Sequence, residues 1–377
     1  MKIIHLSDLH LGMRFYEFSL IDDQKYILDQ ILEIIRAQKP DAVCIAGDVY
    51  DKSIPPVEAV ELFDDFLYNL AKLKVETFII SGNHDSAERL SFGNRIFDVS
   101  GLHFSPVYDG AIKPVTLRDE HGEVDFYMLP FVKPSNVRRF FPDEKIENYT
   151  DAVKVAVNHM QIDGARRNVL IAHQFVTGSK RSESEDISVG GLDNVDASAF
   201  EPFDYVALGH IHSPQTAGGE RIYYCGTPLK YSFSEVNDQK SVAVIELKEK
   251  GAFGLTKIPL APLHELRELR GTFNELMNRS FYIDTSYQTD YVRITLTDED
   301  DVLNADGNLR VVYHGLATLR YDNTRTRNNQ SVAAIGDVEN KSPFELFSEL
   351  YKVQNGKDLS EEQIEYLNDK IAKVWEE

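Results

Sequence analysis

Short apolar runs alternate with longer amphipathic stretches through the first half of the chain. Residues 2–7, 42–46, 77–81, 169–172 and 205–208 are strand-sized, rich in β-branched side chains and bounded by Gly, Asp or Asn, which predicts buried strands. Between them, 22–38 sets Tyr26, Ile27, Ile31, Ile34 and Ile35 at helical spacing. Pro55-Pro56 opens a second helix to about Lys74, since proline is tolerated in a first turn. The stretches 86–98 and 149–163 also read as helices. Strand–helix alternation of this kind predicts an α/β domain around a buried sheet. From Arg221 the texture changes: 222–224, 241–247 and 254–259 read as strands with no helix between them. They predict a second sheet, hence a two-sheet sandwich flanked by helices.

A boundary falls at Pro259-Leu-Ala-Pro262. The smaller unit beyond it reads as strands at 265–270, 291–297 and 310–319 with a helix at 298–309, an α+β cap. Residues 322–341 are rich in Asn, Thr and charge, which predicts a linker. The tail carries two helical patterns. One starts at Ser342-Pro343, with Phe344, Phe347, Leu350 and Tyr351 on one face. The other opens with the capping box Ser360-Glu-Glu-Gln363, followed by Ile364, Leu367, Ile371 and Val374. The expected organisation is 1–259, a cap at 263–321, a linker at 322–341 and a helical segment at 342–377.

Hydrophobic residues make up 42% of the 377, enough for a sizeable core. The longest apolar runs are too short to span a bilayer, and no secretory leader is legible. Cys44 and Cys225 sit in apolar strand-like runs, so buried reduced thiols in the cytoplasm are expected. The formal net charge of −21 argues against a nucleic-acid partner, which usually meets a basic face. The candidate chemistry points the other way.

Five predicted strands end in metal-binding residue types: Asp8-Leu-His10, Gly47-Asp48, Gly82-Asn-His-Asp85, His173, and Gly209-His-Ile-His212. In α/β sheets, sites form at the carboxyl ends of strands. Asp8 and His10, like His210 and His212, are two apart, so extended backbone would put each pair on one face. Gly47, Gly82 and Gly209 stand where the chain must turn and let a ligand approach. Asp8, His10, Asp48, Asn83, His173, His210 and His212 make seven donors. If Asp48 bridges, they give four bonds to each of two ions, the arrangement that drives in-line attack on phosphate. Imidazole and oxygen ligands without thiolate suit Mn, Fe or Zn. Any one histidine at a strand end is ordinarily a satisfied loop side chain; the ordered set is what points to a metal pair. His84 should face away from the pair and beside the substrate, placed to protonate a leaving alkoxide. Asp51 is a candidate to orient it, or simply a loop carboxylate. His103, His121, His159, His264 and His314 read as structural.

The set resembles the calcineurin-like metallophosphoesterase family, and more closely its branch of double-strand-break repair nucleases. The motifs are Ile3-Ile-His-Leu-Ser-Asp-Leu-His-Leu-Gly12, Ala46-Gly-Asp-Val-Tyr-Asp51, Ser81-Gly-Asn-His-Asp85, Ala172-His-Gln-Phe-Val-Thr-Gly178, Tyr205-Val-Ala-Leu-Gly-His-Ile-His212 and Gly226-Thr-Pro-Leu-Lys-Tyr-Ser-Phe-Ser234, with Pro343-Phe-Glu-Leu-Phe in the tail. The resemblance implies one ion held by Asp8, His10, Asp48 and His212, the other by Asp48, Asn83, His173 and His210, with manganese preferred and His84 catalytic. It implies a 3′–5′ double-strand exonuclease and single-strand or hairpin endonuclease in DNA repair, recombination and replication. It also implies a DNA-contacting cap, a tail docked on a coiled-coil ATPase and a homodimer within a heterotetramer. Other branches carry a histidine where Asp51 stands, so a second catalytic histidine does not carry over.

Arg14, Lys52, Arg89, Lys133, Arg138 and Arg139 are candidate DNA contacts, though scattered charges are ordinarily solvated surface. Residues 343–377 hold four Lys and nine Asp or Glu, so the tail is no DNA arm, and its apolar stripes suit a partner helix. The helix expected at 86–98, with Leu90, Phe92, Ile96 and Phe97, is one candidate dimer surface. Two other readings stand. A protein or small-molecule phosphoesterase is opposed by Lys52-Ser53, where protein phosphatases of this fold carry Arg-Gly. A non-enzymatic DNA-tethering scaffold is opposed by the complete ligand set.

Overall fold

The computed structural model describes residues 1–185, 193–331, 343–355, 358–360, 363–364, 366–368 and 370–371. The chain divides into two units, Met1–His264 and Glu265–Glu377. In the first, two six-stranded sheets face each other. One runs in the order Phe253–Pro259, Ser241–Leu247, Lys2–Leu6, Ala42–Ala46, Glu76–Ile80, Leu102–Phe104. Its last four strands are parallel, and the first two close one edge antiparallel. The other runs Gln215–Thr216, Ile222–Tyr224, Tyr205–Gly209, Arg167–His173, Gly122–Leu129, Val115–Asp119, with four parallel central strands and antiparallel edges. The two-sheet α/β sandwich expected from the sequence is present.

Alternate residues of the inner strands meet between the sheets: Ile3, Ala42, Cys44, Phe78 and Ile80 from one, Val124, Phe126, Val169, Ile171 and Ala207 from the other. Phe78 and Phe126 stack across the gap with ring centroids 4.4 Å apart. Helix Tyr149–Asn158 buries Val153, Ala156 and Val157 against Leu170, Ala172, Val206 and Leu208 on the second sheet's outer face. Helices Ile21–Gln38 and Val57–Leu73 form the crossovers between parallel neighbours of the first sheet. These layers fix the strand ends, so the loops that follow them share one rim.

Several expectations need correction. The strands after Arg221 do not form a sheet of their own: Ile222–Tyr224 joins one sheet, Ser241–Leu247 and Phe253–Pro259 the other. The second sheet's inner strand Gly122–Leu129 has no counterpart in the sequence reading, because Glu123 and Asp125 interrupt its apolar run. Asp125 tolerates burial because Thr116 Oγ1 donates to it at 2.5 Å and Arg166 at 3.3 Å. The stretch 86–98 is two short helices, Ala87–Leu90 and Asn94–Phe97, broken at Gly93 with φ 77°. Tyr26 lies off the buried face of its helix, which runs through Gln24, Ile27, Leu28, Ile31, Leu32 and Ile35.

The second unit is a three-stranded parallel sheet, Leu266–Gly271, Tyr291–Leu296 and Gly315–Tyr321, over a core of Leu269, Leu276, Val292, Ile294, Leu309, Tyr313 and Leu316. The helix expected at 298–309 is shorter, Ala305–Arg310. The expected linker is not irregular throughout: Thr324–Ser331 is helical. Buried Asn323 caps it, its Oδ1 accepting Thr326 N–H at 3.0 Å while Thr326 Oγ1 accepts Asn323 N–H at 2.9 Å. Residues 332–342 lie outside the described residues. Helix Pro343–Asn355 leaves Phe347 exposed. The Ser360 capping box forms, Ser360 N–H donating to Gln363 Oε1 at 2.9 Å. Val374 lies outside the described residues.

Candidate metal centre

Five strand ends meet at the rim. The loop after Lys2–Leu6 is tied to the loop after Ala42–Ala46 by three backbone bonds: Asp8 N–H to Gly47 O, His10 N–H to Asp48 O and Leu11 N–H to Val49 O, at 3.0, 3.0 and 2.9 Å. Asp8 has φ 53°, His10 φ 44°, Asp48 φ 48° and His210 φ 103°. Extended backbone is therefore not what brings Asp8 and His10 together; left-handed turns are. The three glycines also act differently from a simple turn. A Cβ on Gly82 would lie 2.1 Å from Asp48 Oδ1, and one on Gly209 would lie 1.9 Å from Ala46 O and 2.7 Å from His173 Nδ1. Only Gly47, at φ 86°, is left-handed. All three make room for donor side chains.

Those donors form one cluster, buried except for half-buried Asn83. Asp8, His10 and His212 can offer ligand atoms within 4.8 Å of one another, as can Asp8, Asp48 and His173. Asp48 Oδ2 lies 3.2 Å from His173 Nε2, 3.8 Å from His10 Nε2 and 4.0 Å from His84 Nε2. Its Oδ1 accepts the His84 backbone N–H at 2.9 Å. Asn83 Oδ1 lies 3.0 Å from His173 Nε2 and 2.9 Å from His210 Nδ1. Asp8 accepts the His210 backbone N–H at 2.9 Å. All seven expected ligands are thus in one constellation, with Asp48 between its two halves.

The electrostatics suit a cation. Burial drives His10 and His210 well below the usual imidazole range, so both are neutral donors. Burial also opposes charge on Asp48 and His173, but their pairing wins, holding the carboxyl low and pushing the imidazole up to about 9. His10 Nε2 faces His212 Nε2 at 3.2 Å, while His10 Nδ1 and His210 Nε2 are buried without a hydrogen-bond partner. Facing imidazole nitrogens need a shared proton or cation, and an unpaired buried nitrogen is costly. The donor set therefore fits divalent ions.

His84 is the more open neighbour, its side chain 22% exposed against 2% or less for Asp48 and His173, but it does not face away from the pair as expected: its Nε2 can join His10 and Asp48 with ligand atoms within 4.8 Å of one another. Its Nδ1 lies 2.9 Å from Asp51 O. Asp51 thus meets His84 through its backbone carbonyl, a contact that any residue could supply. Arg14, Lys52, Arg89, Lys133, Arg138 and Arg139 are all exposed.

A family model for calcineurin-like phosphoesterases matches residues 1–214, the span that carries all seven candidate ligands. The chain belongs to this family. A second model, the type 5 capsule protein repressor C-terminal domain, matches residues 262–355. Two curated relatives are named as the SbcD component of the nuclease SbcCD. One, from Staphylococcus epidermidis, is 35% identical over 85% of each chain. The other, from Staphylococcus saprophyticus, is 34% identical over 83% of this chain and 82% of that one. Among solved structures, a dimetal phosphatase from Danio rerio overlaps with a TM-score of 0.39 and 10% identity, over 68% of this chain and 95% of that one. So loose an overlap carries no argument. Among the described residues, no helix of this phosphoesterase is long and apolar enough to cross a membrane.

The sequence reading missed the side chains that brace the ligands. Asp85 accepts backbone N–H groups from Val49, Tyr50 and Gly82 at 3.1, 2.9 and 2.9 Å, tying together the loops that bear Asp48 and Asn83. Gln24 Nε2 donates to His10 O at 2.7 Å and Tyr231 Oη to Leu9 O at 2.5 Å. Glu185 Oε1 accepts the His212 backbone N–H at 2.7 Å. Asp85, directly after Asn83-His84, carried a local signal, and Tyr231 lies within the Gly226–Ser234 motif; Gln24 and Glu185 carried none.

Proposed function

We propose that this chain is the nuclease component of an SbcCD-type complex, a divalent-metal phosphodiesterase acting on DNA ends and hairpins beside an SbcC-type coiled-coil ATPase. One observation carries the reading: seven metal-ligand side chains from five strand ends converge beside a partly exposed histidine. Asp8, His10, Asp48 and His212 would hold one ion and Asp48, Asn83, His173 and His210 the other, with Mn2+ the expected metal. When bound, such a pair neutralises phosphate charge and acidifies a water.

The chain's own groups do the rest. The Asp51 carbonyl can only accept, so His84 Nδ1 carries a proton and Nε2 is the ring nitrogen left for the substrate. As imidazolium, His84 gives its Nε2 proton to the leaving sugar oxygen as the phosphorus–oxygen bond breaks. The buried ligands on the other side exclude bulk water. The phosphoesterase match and the nuclease names of both relatives support the substrate class. The acidic balance of the chain suits weak intrinsic DNA affinity, with the ATPase supplying grip. The second unit would cap the DNA, and the helices from Pro343 onward would dock on the ATPase. A homodimer within a heterotetramer completes the assembly, for which exposed Phe92 and Ile96 offer one surface. The cytoplasm is the expected site of action.

The test is cleavage of labelled duplex and hairpin DNA by the purified chain, with and without the ATPase, in Mn2+, Mg2+ or EDTA. A phosphopeptide and His84→Ala run alongside. Mn2+-dependent DNA cutting, lost in the variant, is expected. Phosphopeptide turnover without DNA cutting would contradict the reading.

A further inference from the structure

His212 differs from the other buried histidines of the centre in what holds its second ring nitrogen. His173 Nδ1 donates to a backbone carbonyl, Ala46 O, at 2.8 Å. His212 Nδ1 instead meets a side chain, Ser184 Oγ, at 2.7 Å. Ser184 Oγ has two further partners, Glu235 Oε1 at 2.6 Å and Ser182 Oγ at 2.7 Å. Glu235 is fully buried and pairs through its other oxygen with Lys240 Nζ at 2.5 Å. Lys240, also buried, donates to His212 O at 2.9 Å.

The protons in this chain of contacts have only one consistent arrangement. The Lys240 ammonium keeps Glu235 ionised, so Glu235 can only accept. A hydroxyl has one hydrogen and two lone pairs. Ser184 must therefore spend its hydrogen on Glu235 and accept from its other neighbours. His212 Nδ1 must carry the donated proton, which in the neutral ring leaves Nε2 bare and aimed at His10. The opposite tautomer would set the Ser184 oxygen against the Glu235 carboxylate at 2.6 Å with no hydrogen between them.

We propose that Ser184 and Glu235 are positioning residues that lock His212 in its Nδ1–H form and so set the metal affinity of the half-site it shares with Asp8 and His10. This rests on the metal-centre reading above. Partners behind a metal-bound histidine fix its tautomer and orientation, and their loss costs about 10–100-fold in affinity. The device also makes the segment carrying Ser182, Ser184 and Glu185 part of the centre, since Glu185 holds the His212 backbone while Ser184 holds its ring.

Two readouts on the full chain test this, with Ser184→Ala, Ser184→Thr and Glu235→Gln. The first is the tautomer of His212 in metal-free protein, read from long-range 15N–1H correlations of 15N-histidine-labelled samples and assigned with His212→Gln. Wild type and Ser184→Thr should show the Nδ1–H form, and Ser184→Ala a mixture. The second is Mn2+ titration calorimetry: Ser184→Ala and Glu235→Gln should weaken one of two ions about 10–100-fold, and Ser184→Thr should restore it. If Glu235→Gln unfolds because Lys240 loses its partner, Glu235→Gln with Lys240→Met takes its place. An unchanged tautomer in Ser184→Ala, or a changed tautomer with wild-type Mn2+ affinity, overturns the proposal. Failure of wild type to bind two ions would instead overturn the metal-centre reading, which the tautomer measurement does not depend on.

Discussion

At the residue scale, four of the seven candidate ligands are held in backbone that side chains ordinarily avoid. Asp8, His10, Asp48 and His210 are all left-handed, at a cost of roughly 1–2 kcal/mol each. Such strain persists where surroundings over-determine it, and here interloop hydrogen bonds and the Asp85 carboxylate do so. Asparagine tolerates this backbone and keeps an oxygen for the His210 N–H, so Asp8→Asn separates shape from charge. It should leave the melting temperature of metal-free protein within a few degrees while weakening Mn2+ binding at least tenfold, read by calorimetry. Glu235 gives a pH signature. Burial opposes its ionisation, but the nearby His212 ring and the Lys240 ammonium hold its carboxyl at about 2. Its folded value lies below its unfolded one, so its contribution is present above about pH 4.5 and fades as pH falls toward 2. The contribution is on the order of 3 kcal/mol. Urea midpoints of wild type and Glu235→Gln should therefore differ most at neutral pH and converge in acid. At this scale the candidate ligands were legible as a group, because each sits at or near the end of an apolar run. The way they converge was not, because a left-handed aspartate or histidine has no sequence mark.

At the element scale, the centre exists because two sheets approach closely at one rim. Gly209, against Ala46 O, and Gly47, against the His173 ring, are the contact points. Gly209→Ala would press a methyl onto Ala46 O and the His173 ring. Overpacking of this kind costs about 1–3 kcal/mol or more, and here it also splays the two sheets. Both a lower melting temperature and weaker Mn2+ binding are expected, whereas Gly164→Ala, at a position where a Cβ meets nothing within 4 Å, should leave metal binding unchanged. A second brace lies at the far end of the same sheet. Arg167 starts the strand that ends in His173, and its buried guanidinium pairs with Asp119 on the edge strand, the two side chains 3% and 8% exposed. Asp119→Ala leaves that charge unpaired and should cost about 3–5 kcal/mol in chemical denaturation. The central parallel strands were legible because both faces are buried and their runs are continuous. Gly122–Leu129 was not, since its buried Asp125 reads as surface until Thr116 and Arg166 are placed beside it. The helix Thr324–Ser331 was hidden for the converse reason: it carries few large apolar side chains, and its start depends on the cap at Asn323.

At the scale of the whole molecule, every expected ligand belongs to the unit Met1–His264. A fragment ending at His264 should therefore bind Mn2+ with the stoichiometry and affinity of the full chain, by calorimetry, and any large loss would show that the second unit contributes to the centre. The net charge of −21 misled as a guide to partners, because net charge describes the solvated surface while the centre is a local, buried exception to it. The central claim is that one buried rim holds two divalent ions around Asp48. Its most direct test is anomalous diffraction from crystals of the full chain grown with Mn2+. Two manganese peaks are predicted, one among Asp8, His10 and His212, the other among Asn83, His173 and His210, both in contact with the Asp48 carboxylate. A single peak, or peaks away from Asp48, would contradict it.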